Sequence, residues 1–326
     1  MKIAKLGFFA ALVAAVGFST PSLAEKWDMP VRSNERNYMT VNIQEFVDDV
    51  EKESGGDIEI VLHPEDSLVR QPDVPRAVQT GQVPIGEYFV SMQSNENPIF
   101  GIDNVPFLAT DYDSNRKLAE AARPALEEAL KPKRLRLLFI QPWPPQGIYV
   151  DQPLKSLSDL QGVSFRAYNP NSARMAELMG ARPVTIQQAE VPQAFSTGVI
   201  EAMLTSPATG VDSQAWDFVS YFYDVRAFIP WNIVVVNERT FQNLDEKGQK
   251  AVLKAAKAAE ERAWKRAPEV IEGLIATLAE HGMQVEKPGE QLQGELQKVG
   301  DQMLEEWKSS AGDAGSKVIE RYRSSN

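Results

Sequence analysis

The chain has 326 residues, with 34 Lys or Arg against 45 Asp or Glu for a formal charge of -11, and 43% of its side chains are apolar. That length provides for about two domains with sizeable cores, the apolar share argues against wholesale disorder, and the acidic balance repels nucleic acid. Cysteine is absent, which excludes disulfide scaffolding, thiolate catalysis and Cys-ligated zinc.

Lys2 and Lys5 open the chain, an apolar run extends from Leu6 to Phe18, and Ser22-Leu23-Ala24 supplies small residues for cleavage. Residues 1–24 therefore read as a signal peptide and the protein as periplasmic. The run is shorter than the roughly 20 residues of a spanning helix. A short strand is expected around Lys26 to Arg32, followed by a helix carrying Val41, Ile43, Phe46, Val47 and Val50 that stops at Gly55-Gly56. Strand Ile58 to Leu62, a helix over Asp73 to Thr80 and strand Pro84 to Val90 continue the alternation, which predicts an α/β domain with a largely parallel sheet. A helix over Ser114 to Leu130 and a strand over Arg134 to Gln141 lead into Trp143-Pro144-Pro145-Gln146-Gly147, a composition suited to a crossing between domains.

A second α/β unit begins near Ile148, with strands at Val163 to Tyr168, Pro183 to Ile186 and Ile200 to Ser206 and helices between them. Phe228 to Asn237 crosses back. From Asp245 to about His281 the sequence is helical, and at ~1.5 Å per residue such a helix is long enough to lie across both domains, unless Pro268 breaks it. Leu292, Leu296, Val299, Met303, Leu304 and Trp307 form the stripe of a last helix.

Enzymatic signals are thin. His63 and His281 are the only histidines and neither sits in a ligand-spaced cluster, and there is no G-x-S-x-G, G-x-G-x-x-G, P-loop or H-E-x-x-H motif. No catalytic residue, metal or cofactor is assigned. Arg166 stands out: strand alternation puts it on one face with Ser164 and Tyr168, opposite Val163, Phe165 and Ala167. A guanidinium fork beside a phenol suits a carboxylate, although on pattern alone a surface arginine paired with a nearby acid is the simpler reading. Trp143 and Trp231 at the crossings, with Gln146 and Asn232, could enclose a flat solute or simply pack an interface. Thr205 and Ser206 end a strand, where a helix cap is the simpler role. Tyr88 and Phe107 are further candidate walls, and Glu87 could receive a substrate hydroxyl.

The stretch Asp159-Leu160-Gln161-Gly162-Val163-Ser164-Phe165-Arg166, with Ala176 to Val184 and Ala189 to Ala202, resembles the substrate-binding proteins of TRAP transporters, the DctP-like family. Asn104-Val105-Pro106-Phe107-Leu108 resembles a further family segment. The resemblance implies a two-lobed periplasmic binding protein fold with a central cleft and a long helix spanning both lobes. It also implies a receptor that closes around an organic anion and delivers it to a membrane permease. The family's arginine that ends L-x-G-x-x-x-R pairs with the substrate carboxylate, and Arg166 occupies that position. Sialic-acid members carry a second arginine where this chain has Gln146, and the family's D-G-x-E-N-P run is replaced by Glu201-Ala202-Met203-Leu204-Thr205-Ser206.

Lobe I is expected over 25–146 and 237–275, and lobe II over 147–236 and 276–326. The expected ligand is a small monocarboxylate with a flat or apolar body, benzoate-like, with a 2-oxo or 2-hydroxy acid as the alternative. Its expected contacts are Arg166, Tyr168, Trp143, Gln146, Thr205, Ser206, Trp231, Asn232, Glu87, Tyr88 and Phe107. The partners expected are the permease subunits, with no nucleic acid, and a monomer in solution. An exported enzyme acting on an organic acid or sugar, and a protein-binding scaffold, are the readings from other classes.

Overall fold

The structure, a computed structural model, describes residues 24–324; the expected signal peptide lies outside them except for Ala24. The first lobe opens with β1 (Glu25–Pro30), α1 (Tyr38–Ser54) and β2 (Ile58–His63), and β1 and β2 pair in parallel across the helix. Asn37 caps α1 by accepting from the Met39 amide, and Gly55 ends it in the left-handed region at φ 71°. Then come α2 (Val74–Thr80), β3 (Ile85–Phe89), α3 (Tyr112–Leu130) and β4 (Leu135–Pro142).

The second lobe follows with β5 (Gly147–Val150), β6 (Ser164–Ala167), α4 (Pro170–Leu178), β7 (Arg182–Thr185), α5 (Val191–Ser196), β8 (Ala202–Thr205), α6 (Pro207–Asp212) and β9 (Tyr221–Tyr223). Gly147 is needed at the crossing, because a Cβ there would collide with the Phe222 ring and the Tyr223 carbonyl. The chain finishes with β10 (Trp231–Asn237), α7 (Glu238–Asn243), α8 (Glu246–Glu280), β11 (Gln284–Glu286) and α9 (Glu290–Ser324), which departs from helical geometry at Gly312.

The second lobe's sheet runs β11-β9-β5-β8-β6-β7. Two expectations shift. The sheets are mixed rather than largely parallel: β10 lies antiparallel between β3 and β4, and β5 lies antiparallel to β8 and β9. The return to the first lobe also comes before residue 237, since Trp231 to Asn237 already pairs with β4. The antiparallel strands are the ones at the crossings: β5 opens the second lobe as the chain arrives from the first, and β10 enters the first lobe's sheet as the chain returns.

Helix α8 spans both lobes. Val252, Ala255, Ala256 and Ala259 pack with Trp27, Phe46 and Phe139 of the first lobe, while Leu278 packs with Tyr149 and Phe222 of the second. Pro268 does not break it, and Trp264, Ala267 and Ile271 are buried on either side of the proline, so packing holds the helix where one backbone bond is lost. Helix α9 does the same: Leu292, Leu296 and Met303 pack in the second lobe, Trp307, Val318 and Ile319 in the first. No described helix is long and apolar enough to cross a membrane.

Candidate ligand cleft

Five apolar side chains from both lobes meet in the cleft: Met39, Phe89, Trp143, Tyr168 and Ala208. Their placement follows from local rules. Phe89 ends β3, Trp143 follows β4, Tyr168 follows β6, and Ala208 lies in the first turn of α6, so the carboxyl ends of the strands converge there. The Phe89 ring stacks on Tyr168 with centroids 5.2 Å apart and lies 5.5 Å from the Trp143 ring.

Two buried arginines border this aromatic group. Arg166 is wholly inaccessible in β6. Its Nε donates to the Ile186 carbonyl at 3.0 Å, and its Nη1 and Nη2 have no protein partner. Burial, and then the neighbouring charge of Arg32, bring its pKa down to about 9, so it stays charged at neutral pH. Arg32 sits just past β1, with its guanidinium carbon 4.0 Å from the Phe89 centroid, and its Nε and Nη1 also lack protein partners. Burial lowers its pKa to about 10, while Asp66, Tyr168, Glu87 and Asp212 support its charge. The two guanidinium carbons lie 5.3 Å and 6.0 Å from the Tyr168 ring centroid. Unmatched buried N–H donors are rare in folded proteins; four on two cations beside aromatic faces are chemically suited to receive an anion.

Behind Arg32 stands an acid whose oxygens are already engaged. Glu87 Oε2 accepts from the Arg32 amide at 3.0 Å, and Oε1 accepts from Gln141 and Asn232. Burial nevertheless raises its pKa. Asn232 Oδ1 in turn accepts from Trp143 Nε1 at 2.9 Å, so Glu87 and Asn232 brace the cleft from beneath. Gln146 Oε1 accepts from the Tyr168 hydroxyl at 3.0 Å while its amide donates to the Pro144 carbonyl, which fixes the tyrosine ring.

The remaining expected contacts lie elsewhere. Tyr88 points away from the face shared by Glu87 and Phe89, into the first lobe's core, where its hydroxyl donates to Gln93. Trp231 is on the opposite face from Asn232, in the same core, with Nε1 donating to Asn115. Phe107, at φ 58°, packs against Gly300 of α9 and the second lobe's core. Thr205 pairs with Gly147 in the sheet, and Ser206 caps α6 by accepting from the Thr209 amide. His63 meets Asp28 and His281 stacks on Trp216, and no cluster fit to hold a metal occurs among the described residues.

Arg32 and Phe89 border the same aromatic group without having been singled out in the sequence. Both end strands, which was the available signal. A small cavity of about 160 Å³ is lined by Arg32, Ser33, Gln188, Asp212 and Ser213, among others. Asp212 Oδ2 accepts from Asn37 of the first lobe at 2.8 Å and from Gln188 of the second at 3.0 Å, joining the lobes at its edge.

The profile of the bacterial extracellular solute-binding proteins of family 7, DctP, matches residues 32–310. The chain belongs to the DctP family of TRAP solute-binding proteins. Its members are periplasmic receptors rather than enzymes, and membership implies a small organic acid as ligand and TRAP permease subunits as partners. Among solved structures, this DctP-family chain is 47% identical to DctP7 of Bordetella pertussis, covering 92% of this chain and all of that one with a TM-score of 0.91. It is 42% identical to DctP6 of the same organism, covering 92% and 99% with a TM-score of 0.90. A TRAP solute-binding protein from a marine metagenome is 37% identical over 92% and 99%, with a TM-score of 0.91. All three are described as binding pyroglutamic acid or pyroglutamate.

Proposed function

We propose that this receptor binds pyroglutamate, or a small cyclic acid that shares its carboxylate and ring amide, and that Arg166 and Arg32 together take the carboxylate. The observation that carries the reading is the set of four buried, unpartnered guanidinium nitrogens on these two residues. Arg166 presents both terminal nitrogens, the fork that matches a carboxylate bidentately. Phe89, Trp143 and Tyr168 supply faces for a flat ring.

The likeness to three full-length pyroglutamate-binding relatives supports the choice among acids. It narrows the expectation of a flat monocarboxylate from a benzoate-like ring to a polar one. A wholly apolar ring would leave the buried side-chain oxygen of Gln188 without a partner. The receptor works as a monomer, closing by hinge motion as ligand contacts on both lobes favour the closed population.

Calorimetry against pyroglutamate, pyroglutamate amide, benzoate, lactate and pyruvate tests the reading. Pyroglutamate binds most tightly, and converting its carboxylate to a neutral amide abolishes measurable binding. Benzoate or lactate binding more tightly than pyroglutamate would refute the assignment.

A further inference from the structure

We infer that Gln188 determines specificity in this cleft by accepting the ring N–H of the bound lactam; the inference rests on the pyroglutamate reading and adds a residue to it. Gln188 lines the cavity with Arg32, Ser33 and Asp212. Its carboxamide has a forced orientation. Asn37 Oδ1 accepts from the Met39 amide, which leaves Asn37 Nδ2 to donate to Asp212 Oδ2. The same carboxylate oxygen receives Gln188 Nε2 at 3.0 Å. One N–H of Gln188 is thereby committed, which fixes the carboxamide, and its oxygen, buried and without a protein partner, is free to accept from a ligand.

The cleft's unpartnered polar atoms differ in type. Arg32 and Arg166 offer donors, Gln188 offers an acceptor, and the Ser33 hydroxyl in the same cavity as Gln188 offers either. A plain carboxylic acid satisfies only the first kind. A cyclic amide acid satisfies both, because its N–H is a donor fixed next to the carboxyl-bearing carbon. A lactone of the same shape puts a ring oxygen against the Gln188 oxygen, so two acceptors face each other and one buried polar group stays unpaired. The ring N–H also extends a chain through Gln188 and Asp212 to Asn37, which crosses from the second lobe to the first.

The test is calorimetric titration of the wild-type, Gln188→Met and Gln188→Ala proteins with L-pyroglutamate and with the matching γ-lactone acid. Circular dichroism confirms that each variant is folded. Wild type is expected to prefer the lactam by about 10- to 100-fold. Both variants are expected to reduce that preference by about tenfold, with lactone affinity changed by less than about threefold. A preference unchanged in both variants overturns the role of Gln188, as does a wild type that binds the two ligands equally. A wild type that binds neither removes the pyroglutamate reading itself and this inference with it. The ratio of the two affinities is the decisive readout, because general damage to the cleft weakens both ligands alike.

Discussion

The two walls of the cleft hold a buried cation in different ways. On the first lobe's side, Arg32 lies over Phe89, its amide donates to Glu87, and Asp66, Glu87 and Asp212 all support its charge. On the second lobe's side, Arg166 is more deeply buried, and its one hydrogen bond among the described residues is to the Ile186 carbonyl. Burial outweighs the support at both, but Arg32 has three acids and Tyr168 beside it where Arg166 has Tyr168 and Glu190 against the repulsion of Arg32. Burying an unpaired charge costs stability, and that cost is offset only when an anion binds. The comparison assigns Arg166 the larger share of binding and Arg32 a part in both binding and the integrity of its own wall.

Loss of ligand binding is the largest expected effect. Arg166→Ala should weaken pyroglutamate by about 2–5 kcal/mol in calorimetry, as for one partner of a desolvated charged pair. Arg166→Lys should not restore it, because an ammonium cannot supply the planar fork. A loss confined to Arg32→Ala, with Arg166→Ala near wild type, would invert the comparison.

Stability of the ligand-free protein sharpens it. Arg32→Met should lower the free energy of unfolding by about 1–3 kcal/mol, since it strands Glu87 and Asp212 beside an apolar side chain. Arg166→Met should leave that free energy unchanged or raise it. Denaturant unfolding measures both, and a destabilisation of the same size in the two variants would erase the distinction between the walls.

A smaller effect concerns pH. Asp103 lies in the first lobe, where its carboxylate accepts from the Trp231 amide and burial raises its pKa to about 7. Below about pH 3 the carboxyl is protonated in folded and unfolded chains alike, and no penalty applies. As pH rises toward 7 the unfolded chain ionises while the folded one retains its proton, so wild-type stability falls across that window. Asp103→Asn keeps the bond from Trp231 and lacks the titration. It should be more stable than wild type by about 1–3 kcal/mol at pH 8 and converge with it near pH 3, as thermal unfolding across pH would show.

Much of this was readable from the chain. Alternation placed Arg166 apart from Phe165 and Ala167, and the proline-rich crossing marked Trp143 and Gln146. The long helix followed from its length and composition. What could not be read depends on pairing between distant strands. Asn232 faces the cleft and Trp231 the core because β10 enters antiparallel between β3 and β4, a register fixed by the fold rather than by the residues of β10. The same holds for Glu87 and Tyr88 on β3. Arg32 carries no local mark: it is one arginine after a short strand, and only the folded chain brings it beside Tyr168 with Arg166. Its role needs both lobes at once.

The most direct test of the central claim is an experimental structure of the receptor with pyroglutamate bound. The account predicts the ligand carboxylate within hydrogen-bond distance of both Arg166 Nη1 and Nη2 and of at least one unpartnered nitrogen of Arg32. A carboxylate held elsewhere, with those nitrogens still unpaired, would contradict it.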